Sequence, residues 1–194
     1  EHWFEKEEVV ASTDGPFTIV WNHRWEYDKA PERMFSALLG LHAAGLDFRV
    51  HVTGQQFREQ PPVFAEMYPR LKDHIGEWGM VAADTDYQCL LRQSHVVLTT
   101  ALHEFQGLAV LEAVASGCIP LVPDRLSYPE FIPDACRYPS FPDDSGRESA
   151  AIAEHLQRLC VRYYQGELPV APAVHDLSWS RLLPAYRAEI NGLT

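Results

Sequence analysis

From Phe17 onward the chain alternates short, nearly all-apolar runs with longer segments of helical pattern, and this alternation constrains the fold more than any other feature. "FTIVW" (17–21), "FRVHVTG" (48–54), "HIGEWGMV" (74–81), "HVVLTT" (95–100) and "CIPLVP" (118–123) read as strands, with "ACRYPS" (135–140) a weaker terminal one. Runs of this length that are apolar at nearly every position belong to strands covered on both faces. Helical stretches separate them. One is opened by Pro31 and runs to about Ala44, followed by 61–71, 84–94, a segment from Gly107 to Gly117, and two closing segments at about 144–165 and 177–190. Strand and helix repeating in this order give a parallel sheet. We therefore expect an α/β fold, a Rossmann-like doubly wound parallel sheet, over residues 17–194, with 1–16 a linker or the start of a fragment.

Composition narrows the chemistry. No run approaches the eighteen or so apolar residues that span a bilayer, and the charged start "EHWFEKEEVV" is unlike a signal peptide, so a cytoplasmic location and no membrane contact are expected. A net charge of −11 is unfavourable for a domain that grips nucleic acid by its phosphates; an anionic ligand must be held locally. The four cysteines, Cys89, Cys118, Cys136 and Cys160, form no C-x-x-C pair, which argues against a zinc site or a disulfide framework and for reduced thiols. "HEFQG" starts like a zincin helix but lacks the second histidine. Dinucleotide, P-loop and serine-hydrolase glycine motifs are absent as well.

Ligands of parallel α/β sheets bind at the carboxyl ends of the strands, where three loops hold the unusual residues. These are "WNHRWEYDK" (21–29), whose only cations are Arg24 and Lys29, "TGQQ" (53–56) and "TTALHEFQGL" (99–108). Gly107 opens a helix there, and the N–H groups of Gly107 and Leu108 with the helix dipole make an anion site. Seven residues separate Glu104 from Glu112. Stepping about 100° per residue along that helix puts Leu108, Leu111, Glu112 and Ala115 on one side, the side expected to be buried. A carboxylate on that side requires donors. If a diphosphate rests between the two cations and the helix amides, the vicinal hydroxyls of a ribose supply them; the alternative is a structural Glu112 paired with a buried arginine or backbone amides. Asn22, His23 and His103 flank the same place as secondary contacts to phosphate or sugar, or as polar loop surface. Of the tryptophans, Trp21 and Trp78 are expected in the core, while Trp25 is open between a core position and a stack on a base.

Glu104-x7-Glu112 within "EFQGLAVLEAVASGCIPLV", preceded by Arg24-x4-Lys29, resembles the C-terminal, nucleotide-sugar-binding half of GT-B glycosyltransferases of family 4. The resemblance runs from about Phe17 to the closing "SWSRLLPAYRAEI". More narrowly, "WNHRWEYDKAPE", "HEFQGLAVLEAVASGC" and "YPEFIP" resemble the tRNA-queuosine mannosyltransferase family, which transfers mannose from GDP-mannose to the queuosine of tRNA-Asp. That resemblance implies a catalytic set of Arg24, Lys29 and Glu104: the two cations bind the donor diphosphate and stabilise the departing nucleotide, and Glu104 holds donor-sugar hydroxyls. Glu112 would take the ribose, and Val81 the base through its backbone. It also implies retention of configuration, no metal, and an N-terminal acceptor domain through which tRNA is met, without which this chain binds a nucleotide sugar but catalyses nothing. The sequence departs from the family at one point, reading E-F-Q-G-L where E-G-F-G-L is typical. The rival readings are a GT-B enzyme with another nucleotide sugar and acceptor, such as an epimerase, and a non-catalytic nucleotide-sugar-binding module.

Overall fold

The computed structural model describes residues 15–192, so the expected linker lies outside the described residues except for Gly15 and Pro16. Six strands, β1 (Phe17–Asn22), β2 (Phe48–Thr53), β3 (Ile75–Gly79), β4 (Val96–Leu98), β5 (Ile119–Pro123) and β6 (Arg137–Tyr138), form one sheet. Helices α1 (Pro31–Ala43), α2 (Val63–Leu71), α3 (Asp84–Gln93) and α4 (Leu108–Ala115) connect the first five strands, and α5 (Ser145–Tyr164) and α6 (Trp179–Gly192) close the chain. Every strand pair is parallel and the order is β3-β2-β1-β4-β5-β6, the doubly wound arrangement expected from the alternation.

Burial follows position in the sheet. All six residues of the central β1 are buried, whereas the edge strand β3 is mostly half-exposed. Alternate side chains build two cores. Phe17, Ile19, Trp21, Val50, Val52, Leu98 and Leu121 pack with residues of α1, α2 and α5 on one face. Val20, Val97 and Val122 pack with residues of α3 and α4 on the other. Each large apolar side chain buried here is worth about 1.5–3 kcal/mol. Trp25 belongs to the first core: it lies stacked on Phe64, ring centroids 4.0 Å apart, with Trp78 edge-on at 5.0 Å. Its 1% exposure removes it as a platform for a base.

The strands expected at 74–81 and 95–100 are shorter in the structure. At Gly79 (φ +99°) the chain turns out of the sheet, and β4 ends at Leu98, after which the hydroxyls of Thr99 and Thr100 bond to distant segments. Thr100 Oγ1 donates to the carbonyl of Lys29 at 2.7 Å and accepts from Trp21 Nε1 at 3.1 Å. These bonds tie the loop after β4 to the loop after β1. The chain proceeds from β1 outward to β2 and β3, then crosses back to β4 on the other side of β1, so these two loops diverge and open a crevice between them.

Candidate functional site

The crevice at this switch point holds a cleft of about 290 Å³ lined by Asn22, His23, Arg24, Asp28, Lys29, His103, Glu104, Phe105 and Ala109. The fold thus brings six of the sequence-derived residues together: Asn22, His23, Arg24 and Lys29 after β1, His103 and Glu104 after β4. The third loop supports the first from beneath. Trp25 N–H donates to Gln55 O at 2.9 Å, and a Cβ on Gly54 (φ +144°) would stand 1.9 Å from the His23 carbonyl oxygen, so only glycine lets the loops meet.

Lys29 is the buried cation of the cleft. Its ammonium donates to the His103 carbonyl at 2.7 Å and faces Asp28 at 3.2 Å and Glu104 at 3.4 Å. Arg24 is about half exposed and pairs with Glu26 at 3.0 Å. The Glu104 carboxylate also accepts from Phe105 N–H at 3.0 Å and from Gly107 N–H. Its partial burial alone would raise its pKa, but the amide bonds, Lys29 and His23 outweigh that and hold it below the ordinary carboxylate value. The Gly107 amide, expected to face a phosphate, is thus turned to Glu104 in this structure. The amides of Leu108, Ala109 and Val110 precede the first bond of α4, which Leu111 donates to Gly107 O at 2.9 Å. His23 is 4% exposed, and its Nε2 is buried without a partner. Burial, reinforced by Lys29, pushes its pKa down to about 4, so it is a neutral ring at physiological pH.

Gly107 itself sits in the left-handed region (φ +66°, ψ +34°), and a Cβ there would come within 2.9 Å of the Tyr128 ring. Helix α4 is rotated from its expected setting. Leu108 is 54% exposed, while Val110, Leu111, Ala113 and Val114 are buried. The buried arc is therefore turned by roughly a third of a turn, which puts Glu112 on the side away from the core, where it is half-buried. The Tyr87 hydroxyl on α3 stands beside the Glu112 carboxylate and favours its charged form; burial nonetheless raises the pKa of Glu112. Val81 is not in the cleft. It lines a separate groove of about 430 Å³ with His51, Met80, Asp86 and Cys89.

Three supporting residues escaped the sequence reading: Tyr87, Arg125 and Glu148. Glu148, fully buried on α5, accepts from Arg33 of α1 at 2.7 Å, from both terminal nitrogens of Arg125 at 2.6 and 2.9 Å, and from Phe141 N–H at 2.7 Å. Arg125 reaches on to the Ala101 carbonyl at 3.0 Å, directly behind His103 and Glu104. A signal was present. Glu148 lies on the same helical face as Ile152, Leu156 and Cys160, an acidic position in an apolar stripe.

Among the described residues no helix is long and apolar enough to cross a membrane, and no group of three or more His, Cys, Asp or Glu side chains could hold a metal ion.

Comparison with known proteins agrees with this architecture. No protein-family model matches the chain. Over 112 residues, 58% of its length, the chain is 37% identical to the tRNA-queuosine alpha-mannosyltransferase of Drosophila melanogaster, of which it covers only 29%. Among solved structures it is similar to the C-terminal domain of a group 1 glycosyl transferase, LpcC, of Francisella tularensis, with a TM-score of 0.63 at 20% identity, covering 91% of this chain and 88% of that one. It also resembles the pneumococcal O-GlcNAc transferase GtfA in complex with UDP and GlcNAc, with a TM-score of 0.58 at 21% identity over 84% of this chain and 35% of that one. The resemblance read from the motifs is borne out, and the fold is that of the C-terminal half of a GT-B glycosyltransferase.

Proposed function

We propose that this chain is the donor-binding half of a retaining glycosyltransferase that transfers mannose from GDP-mannose to queuosine in tRNA-Asp, acting in the cytoplasm. The observation that carries the reading is the convergence, at the switch point, of a buried Lys29, a flanking Arg24 and Glu104 on the first residues of α4, which carries Glu112 further along. The relative that shares 37% identity supplies the sugar and the acceptor.

In this reading the donor diphosphate rests between Arg24, Lys29 and the first amides of α4. Arg24 contributes forked donors and permanent charge, Lys29 a point charge. Fixed donors aimed at the charge that develops on the departing phosphate are commonly the largest catalytic contribution. They serve here without a metal. Glu104, whose carboxylate is held by Lys29 and two backbone amides, presents its remaining acceptor capacity to donor-sugar hydroxyls, and Glu112 accepts from the ribose. The base lies toward Val81. Phe105 stands 94% exposed in the lining of the cleft. The acceptor, tRNA, is met by a domain outside this chain, because the acidity of the chain disfavours phosphate-backbone contact; alone, the chain binds donor and does not turn it over.

A UDP-sugar donor is the competing reading, favoured by the UDP named with the pneumococcal neighbour. The full-length protein separates the two. Incubated with queuosine-containing tRNA-Asp and either radiolabelled GDP-mannose or labelled UDP-sugars, it is expected to label the tRNA from GDP-mannose alone. Labelling from a UDP-sugar, or none from any donor with active protein, overturns the mannosyl assignment.

A further inference from the structure

We infer that Tyr87, on α3, is a positioning residue of the nucleotide site: its hydroxyl holds the Glu112 carboxylate in the orientation that accepts ribose hydroxyls, and Asn22 fixes the direction of that hydroxyl. The inference rests on the donor-site reading above.

The network starts at the end of β1. Asn22 is 6% exposed and lines the cleft, and its side-chain amide donates twice: to the Tyr87 hydroxyl oxygen at 2.9 Å and to the Ala109 carbonyl at 2.7 Å. Ala109 O can only accept, so the amide cannot be flipped without setting two oxygens against each other. With its oxygen accepting from Asn22, Tyr87 has one proton to give, and the Glu112 carboxylate stands beside it as the acceptor we assign to that proton. Burial pushes the Tyr87 pKa far up, so the phenol keeps that proton at every pH at which the protein works. The carboxylate of Glu112 has about four acceptor positions, and the phenol takes one of them. The others are left for a ligand.

A second observation points the same way. With its nitrogen committed, Asn22 turns its other amide atom, Oδ1, to a buried position where it has no partner. A buried acceptor without a donor is costly, and one beside the cleft fits a site completed by a ligand that brings hydroxyl or N–H donors. The network also binds together β1, α3 and α4, the three elements that a nucleoside diphosphate must span between phosphate, ribose and base.

Tyr87→Phe removes the hydroxyl and keeps the ring. Calorimetric titration of the chain with GDP, UDP and the 2′,3′-dideoxy form of each reads the ribose contribution directly. In the unaltered chain the preferred nucleotide should bind at least about tenfold tighter than its dideoxy form, the scale of hydrogen bonds to a charged group. In Tyr87→Phe this ratio should fall towards one while binding of the dideoxy form is unchanged; Glu112→Gln, which keeps the shape but loses the charge, should lower the same ratio. A purely packing role would weaken both forms equally. An undiminished ratio, or parallel weakening of both forms, overturns the inference with the donor site intact. Failure of the unaltered chain to bind either nucleotide overturns the donor-site reading first, and this inference with it.

Discussion

Glu148→Ala is expected to destabilise the fold by about 3–5 kcal/mol, the range found when one partner of a buried ion pair is removed. Glu148 is fully buried and takes all its compensation from two arginines and one amide; without it the nearly buried guanidinium groups of Arg33 and Arg125 face each other with only Glu32, about half exposed and 4.0 Å from Arg33, as a nearby counter-charge among the described residues. At roughly 2–4 °C per kcal/mol for a domain of this size, the midpoint of thermal unfolding should fall by at least about 6 °C. Glu148→Gln keeps the volume and should lose less. The pH dependence has a defined sign. Burial works to raise the Glu148 pKa, but the bonds from Arg125, Phe141 N–H and Arg33 prevail and hold it below the ordinary value. Its contribution is therefore fully present above the unfolded-chain value, about 4.3, and is lost as the pH falls through the folded value. Acid unfolding of Glu148→Ala should lack that component. A change below about 1 kcal/mol would show that the cluster relaxes into an equivalent arrangement.

Lys29→Ala is expected to weaken binding of a nucleoside diphosphate by about 2–3 kcal/mol, some 30- to 150-fold, the scale of charge-assisted hydrogen bonds. Two effects add. The phosphate loses a desolvated cation, and Asp28 and Glu104, which that cation balances, remain in the cleft and repel the ligand. Without Lys29, Glu104 also loses one of the interactions that lower its pKa, so its titration should move upward. Arg24→Ala should cost less, because Arg24 is about half exposed and its charge is screened by solvent. Equal and small effects of the two substitutions on GDP titration would contradict a phosphate seat at Lys29.

The elements were legible in the sequence because each carries its own period: the runs at 17–21, 48–54 and 118–123 are strands in the fold with boundaries shifted by one residue at most. The rotation of α4 was not legible. Every residue of "LAVLEAVA" except Glu112 is apolar, so no polar face marks which side meets the sheet, and packing under Val20, Val97 and Val122 decides it. Hence Leu108 and Glu112 both lie on the side turned away from the core, Leu108 exposed and Glu112 half-buried. The cleft residues after β1 and β4 were legible as loop polarity at strand ends, a consequence of the parallel topology itself. What holds them was not. The Arg33, Arg125 and Glu148 cluster joins segments 92 and 23 residues apart, and the Asn22 to Tyr87 bond spans 65; local pattern carries no information about which distant polar groups meet. Trp25 shows the same limit, since its stack on Phe64 depends on how α2 packs against the loop after β1.

The central claim, that the rim between β1 and β4 is a nucleoside diphosphate site, is tested most directly by calorimetric titration of this chain with GDP and UDP. The account predicts saturable one-to-one binding, GDP tighter than UDP, and strong attenuation in Lys29→Ala. Absence of binding by either nucleotide at millimolar concentration, in a chain shown to be folded by its thermal transition, would contradict it.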